Sequence, residues 1–222
     1  MRTLCLLLIF LLLCGCSTVE TPPEIHPLKP LAAPLSCTFF FPKGDWQYVH
    51  AIDFKLASGK GGSAIGVLVL TQQDIRCALT TVEGLTLFEA RAKANGPVEI
   101  LRALPPFDKE GFAENLIRDI RTLFIPPLGL VRQGQMADGA KVCRYVTAEG
   151  STADLMATAD GCWRMQTYNA DSQQNRSVRS YSCEWTPQSG LMPGLLVLKA
   201  PGATGYSITM RLITAQRLIP GT

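Results

Sequence analysis

The chain has 222 residues, 47% hydrophobic and 18% charged, the proportions of a globular protein rather than a disordered one. A formal net charge of +3 provides no basic field for nucleic acid to read. Two isolated histidines and cysteines without a Cys-x-x-Cys pair give a zinc site little support, so no metal or cofactor is expected.

Arg2 precedes an unbroken apolar run of eleven residues, 4–14, followed by Gly15 and Cys16. As a helix that run covers roughly 16 Å, far short of a ~30 Å hydrocarbon core, so it reads as an export signal and not a membrane span. Its end, Leu13-Cys14-Gly15-Cys16 followed by Ser17, resembles a bacterial lipobox. Cys14 departs from the pattern, holding a slot usually filled by a small residue. The resemblance implies cleavage before Cys16, a diacylglyceryl thioether on its sulfur and an acylated amino group. Such an N-terminus anchors firmly where one chain would hold only marginally. Ser17 beside the acceptor, by resemblance to enterobacterial lipoproteins, implies sorting to the outer membrane on its periplasmic side.

The expected organisation is a signal peptide over 1–15, a lipidated tether over 16–35 and one folded domain over 36–222. The tether carries Pro22, Pro23, Pro27, Pro30 and Pro34 and is expected to hold the domain off the membrane. Cys37, Cys77, Cys143, Cys162 and Cys183 belong to the domain, in an oxidising compartment. Their number is odd, so at least one stays unpaired in a monomer.

Residues 37–41 form a short apolar run that reads as a strand. Trp46, Tyr48, His50, Ile52, Phe54 and Leu56 then alternate with their neighbours at the period of a half-buried strand. Further strands are expected over 64–70, around Ile75, Cys77 and Leu79, over 85–92, and over 98–101 after the hairpin signal Asn95-Gly96. Pro105-Pro106 ends this set, and Asp108 is the expected cap of a helix over 109–124. Phe112, Leu116, Ile117, Ile120, Leu123 and Phe124 share one face of that helix, about 24 Å long. Glu114 and Arg118 stand at i,i+4 spacing on the other face. A helix with a single apolar face must lie on something, and the preceding sheet is the expected partner.

After a glycine-rich passage, strands are expected over 142–147, 155–158, 161–168, 177–185, 195–198 and 206–212. A hairpin turn centred between Ser172 and Gln173 sets Cys162 opposite Cys183, where a disulfide is reachable. Apolar matching favours a slip of one, pairing Trp163 with Cys183 and Met165 with Tyr181.

The order of these parts resembles the lipoprotein-localisation superfamily, the carriers and receptors that move lipoproteins to the outer membrane, and its uncharacterised lipoprotein relatives. The likeness lies in residues 83–88 (Glu-Gly-Leu-Thr-Leu-Phe), in 105–108 (Pro-Pro-Phe-Asp) with the helix ending Leu123-Phe124, and in 206–212 (Tyr-Ser-Ile-Thr-Met-Arg-Leu). It implies an α+β, mainly antiparallel fold: an open, strongly curved sheet, or half-barrel, covered by one or more helices, with an apolar cavity for acyl chains. Phe54, Val67, Leu87, Phe112, Leu116 and Phe124 are the candidate cavity lining, or else ordinary packed core.

No catalytic motif is present: no G-x-S-x-G, no H-E-x-x-H, and a glycine cluster at 59–62 that opens no helix. Two functions remain in view, neither enzymatic. One is a membrane-anchored binder of acyl chains or lipidated cargo. The other is a structural partner of an envelope protein complex, with a solid core and an exposed apolar patch near 128–131 or 191–196. A thiol-active protein, the third reading, requires an exposed cysteine.

Overall fold

A computed structural model of the chain describes residues 28–30, 36–93, 96–187, 189–202 and 204–218. Cys16, the signal and most of the tether lie outside the described residues. The elements are β1 (Trp46–Leu56), β2 (Gly61–Leu70), β3 (Asp74–Thr80), β4 (Thr86–Lys93), β5 (Val98–Ala103), α1 (Phe112–Phe124), β6 (Leu130–Gln135), β7 (Lys141–Val146), β8 (Thr152–Ala157), β9 (Trp163–Tyr168), β10 (Gln174–Thr186), β11 (Gly190–Ala200) and β12 (Tyr206–Arg217).

All twelve strands join one antiparallel sheet in the order β5-β4-β3-β2-β1-β12-β11-β10-β9-β8-β7-β6. The first meander runs outward from β1 to β5, and the second runs inward from β6 until β12 pairs with β1. The chain therefore passes from one free edge of the sheet to the other, and α1 lies on that passage. The sheet is not closed. It is the open half-barrel with a helix on it that the family resemblance implied.

Period-two patterning sets the inner face. Trp46, Tyr48 and His50 of β1, Leu68 and Leu70 of β2, and Phe88, Ala90 and Ala92 of β4 are buried in alternation. From α1, Ala113, Ile117, Ile120, Leu123 and Phe124 are buried against this face. The two strands next to the β6 edge, β7 and β8, are buried on both faces. On their outer side Arg144 and Asp154 form an ion pair at 2.6 Å, satisfying charges that would otherwise be costly to bury.

Three local expectations are corrected. Residues 37–41 are a turn, not a strand: Phe39 and Phe41 donate backbone bonds to Ser36 and Thr38 three residues back. Cys37 is bonded to Cys143, and Phe41 is buried against Trp163, so the run folds under the sheet instead of extending along it. The helix starts at Phe112 with Gly111 as its cap, at φ 75°, and Asp108 does not cap it. Residues 105–110 are in turns that hold the Phe107 ring between Phe54 and Phe112, which leaves the helix nothing to wind on until Phe112. Finally, β6 occupies part of the glycine-rich passage. It is a polar edge strand, exposed over Leu130–Gln133, so no burial period marks it. Its last residue, Gln135, exchanges backbone bonds with Lys29 (3.0 and 2.8 Å), so the end of the tether docks on this edge.

Candidate functional site

The site is the space enclosed by the inner face, α1 and the 37–41 turn. Of the six candidate lining residues, four face it. Phe54 meets Phe107 at 6.5 Å, Phe107 meets Phe112 at 5.3 Å, and Phe112 meets Phe88 at 5.1 Å between centroids, all edge to face. Leu116 packs against the same core. Phe124, at the other end of α1, stacks on Tyr48 at 5.2 Å and tilts against His50 at 5.9 Å. Val67 and Leu87 do not face α1. Each sits between neighbours of opposite orientation, Val67 beside buried Leu68 and Leu87 beside buried Phe88, so alternation turns both to the outer face.

Below α1 the side chains nearly fill the interior. A cavity of about 10 Å³ remains, lined among others by Phe40, Tyr48, Leu123, Phe124, Trp163 and Leu196. This replaces the expected continuous cavity of several hundred cubic ångströms under the helix: the rings of both aromatic groups occupy that volume. A larger pocket of about 330 Å³, open to solvent, lies beside the turn and is lined by Ser36, Phe39, Phe40, Ala157, Gly161 and Cys162. Phe40 belongs to both linings. At the rim of the outer pocket Phe39 stacks on the exposed Trp185 at 6.4 Å.

Cys162 is bonded to Cys183, with Cα atoms 5.4 Å apart. The strand register is neither of the two expected. Val178 pairs with Met165 and Arg179 with Arg164, after a bulge between Gln174 and Arg176. Beyond Arg179 the strands separate: the Ser180 hydroxyl takes over the Trp163 backbone, accepting from its N–H and donating to its C=O, both at 2.8 Å. Ser182 then adopts φ 51°, and Cys183, still paired with Pro193 of β11, reaches Cys162 outside the β9–β10 ladder. The expected apolar match does not form, and the bond is made by the departure from the β9–β10 ladder.

A buried charge couples α1 to the sheet. Asp119 lies on the helix's buried face and accepts from Arg176 Nε of β10 and from the Tyr206 hydroxyl of β12, each at 2.5 Å. Burial, reinforced by the bond to Asp119, pushes the Tyr206 hydroxyl up to about 12. Removing one partner of such a pair strands the other in an apolar setting, whereas the intact set is satisfied. Sequence reading missed this clasp, although Asp119 stands at helical spacing from Phe112, Leu116 and Leu123, where an unpaired carboxylate is out of place.

Among the described residues three other side-chain atoms are buried with no protein partner: Tyr48 Oη, Trp163 Nε1 and Arg121 Nε, the last on a guanidinium that donates through Nη2 to the carbonyls of Lys93 and Gly96. A buried donor left so costs about 1–3 kcal/mol. Burial alone raises the Tyr48 hydroxyl well above its ordinary range and lowers His50 to about 4, so His50 is neutral near pH 7. The remaining thiol, Cys77, is buried and pushed up to about 12, which withholds the thiolate that thiol chemistry needs.

Solved structures resemble this architecture closely in extent and hardly at all in sequence. A LolA superfamily protein from Nitrosomonas europaea superposes with a TM-score of 0.55 at 8% identity, covering 84% of this chain and 91% of that one. A domain from Vibrio parahaemolyticus, named for outer membrane lipoprotein sorting, gives 0.53 at 10% identity over 81% and 87% of the two chains. The chain shares the open half-barrel fold of these two structures. A DUF1329 family protein from Desulfovibrio piger shares it at a TM-score of 0.51 and 8% identity, over 80% and 87%. No family model and no curated protein matches the sequence. No helix among the described residues is long and apolar enough to cross a membrane.

Proposed function

We propose that this protein is an envelope lipoprotein, anchored through Cys16 to the periplasmic side of the outer membrane, which binds acyl chains or lipidated cargo and is not an enzyme. The observation that carries the reading is the relation of α1 to the half-barrel. The inner face of the sheet is apolar, and its cover is a helix that contributes no hydrogen bond to the ladder. Such a cover can shift without breaking a strand pair, so apolar volume can open where side chains now meet. The likeness to a domain named for lipoprotein sorting supports the same class of ligand. Residues 28–30 lie at the β6 edge, which supports an anchor that approaches from that side.

Binding is tested with the mature protein and a fluorescent dodecanoyl probe. The reading requires saturable binding that unlabelled acyl lipid displaces, and non-saturable partition alone would refute it. The anchor is tested separately by Cys16→Ala, which should leave the membrane fraction. A variant still sedimenting with membranes would exclude lipidation there.

A second reading, an assembly partner in the envelope, draws on the exposed residues Leu128 (65%), Leu130 (73%) and Val131 (47%) beside the nearly filled interior. Leu191 and Leu196, the other expected patch, are buried. On this reading Leu130→Lys shifts the protein out of a native-gel complex while probe binding stays intact. Unchanged migration would remove it.

A further inference from the structure

The buried phenols and indoles of the described residues divide unevenly. Trp46 Nε1 donates to Lys43 O (2.9 Å), the Tyr145 hydroxyl to Cys37 O (3.1 Å), the Tyr168 hydroxyl to Gln166 Oε1 (3.0 Å) and the Tyr206 hydroxyl to Asp119. Tyr48 and Trp163, 0% and 1% exposed, are the exceptions. They come from β1 and β9, separated in the sheet by β12, β11 and β10. Nevertheless both line the same small cavity, whose wall Phe40 shares with the outer pocket. Two residues with unmatched donors, brought from distant strands to the lining of one cavity beside an apolar pocket, have the composition of a ligand site.

We propose that Tyr48 and Trp163 bind the uncharged carbonyl of an acyl ester or amide, whose chain lies in the pocket of Phe39, Phe40 and Ala157, with Phe40 as the movable wall between the two spaces. This rests on the acyl-binding reading above and names the group that is recognised. A carbonyl oxygen has two lone pairs and can accept from the Tyr48 O–H and the Trp163 N–H together. Neither lining contains Lys, Arg or His, so a carboxylate or phosphate would enter without a counter-charge, and a neutral carbonyl is favoured. At about 330 Å³ the outer pocket is at the lower end of small-molecule sites, enough for one chain rather than several.

The turn is better placed to move than the helix. Asp119 clasps α1 to two strands, whereas the turn is held at Cys37 by its disulfide and at Phe41 by burial, with Phe40 half-buried between. A rotation of Phe40 joins the two spaces and disturbs neither fixed point.

The competing occupant is a single water, which a cavity of about 10 Å³ barely admits. The test is competition against the dodecanoyl probe on the mature protein, with methyl dodecanoate, dodecanoate and tridecane as competitors. Methyl dodecanoate should compete best. Tyr48→Phe and Trp163→Phe should each weaken it about tenfold, the loss of one hydrogen bond, and leave tridecane unchanged. Phe40→Trp should weaken all three. The tridecane arm reports whether the variants still fold. If the ester binds the two variants as it binds wild type, the donors serve a water only and the assignment fails. It fails also if ester and hydrocarbon lose equally in a variant whose circular dichroism spectrum matches wild type, or if Phe40→Trp changes nothing. If no competitor or probe binds even to Phe40→Ala, the acyl-binding reading falls and takes this assignment with it.

Discussion

At the Phe112 end of α1 the rings of Phe54, Phe88, Phe107 and Phe112 meet edge to face and carry no polar atom. At the Phe124 end the helix meets Tyr48 and His50, and the cavity there is completed by Trp163. The first end is complete as it stands. The second buries polar aromatic groups and leaves two of them unmatched, which a purely structural interior would gain nothing by keeping. The Asp119 clasp lies between, so the helix is held from the middle and its two ends can differ in mobility. On the proposed acyl-binding reading, one end serves the fold and the other the ligand.

The largest effect should come from the clasp. Asp119→Ala leaves Arg176 buried and unpaired, and chemical denaturation should report a loss of about 3–5 kcal/mol. Asp119→Leu combined with Arg176→Met should recover most of it; a double variant as unstable as the single one would mean that the clasp is not what holds α1. Phe88→Ala tests the apolar end, with an expected loss of about 3–5 kcal/mol for a cavity in a well-packed cluster. Its effect on probe binding should be small. A large loss of binding with intact stability would move the ligand to the Phe112 end.

His50 supplies a pH test of the polar end. Its folded-state value is about 4 against an ordinary 6.5, so between these limits the unfolded chain binds the extra proton. Stability from this group is therefore complete above about pH 6.5 and falls as the pH drops toward 4, by roughly 3 kcal/mol in all. In His50→Phe that part of the slope should vanish. Parallel curves for the two proteins would show that His50 titrates normally in the folded state. The smallest effect expected is a gain: Tyr48→Phe removes an unmatched hydroxyl and should stabilise the ligand-free protein by about 1 kcal/mol. A loss would mean that the hydroxyl has a partner.

Much of the fold was legible because it rests on local periodicity. Trp46 to Phe54 alternate in sequence as they do in space, and the apolar stripe of α1 marked the helix, though not its cap. What stayed hidden depends on residues far apart. The Cys162–Cys183 bond needs Ser180 to replace a backbone partner, and no hairpin rule anticipates that. Glu114 and Arg118 have the spacing of a pair, yet Arg118 donates to Asn115 instead, at 3.2 Å. Arg121, which no spacing rule pairs, reaches the carbonyls of Lys93 and Gly96 and ties α1 to the β4–β5 hairpin. Val67 shows the opposite failure, since apolar residues on both faces of β2 do not reveal which side is the core. Leu87, by contrast, shares its face with Glu89 and Arg91, a signal of the outer side that was there to be read. As for Tyr48 and Trp163, 115 residues apart by number, only the curl of the sheet brings them to one cavity.

The central claim, that apolar space in this domain accepts acyl chains, is tested most directly by native mass spectrometry of the mature protein purified without detergent. The expected result is a co-purifying adduct with the mass of an acyl lipid or acylated peptide, lost on delipidation and restored by adding it back. A spectrum showing protein mass alone, unchanged after incubation with acyl ester and lipopeptide, would contradict it.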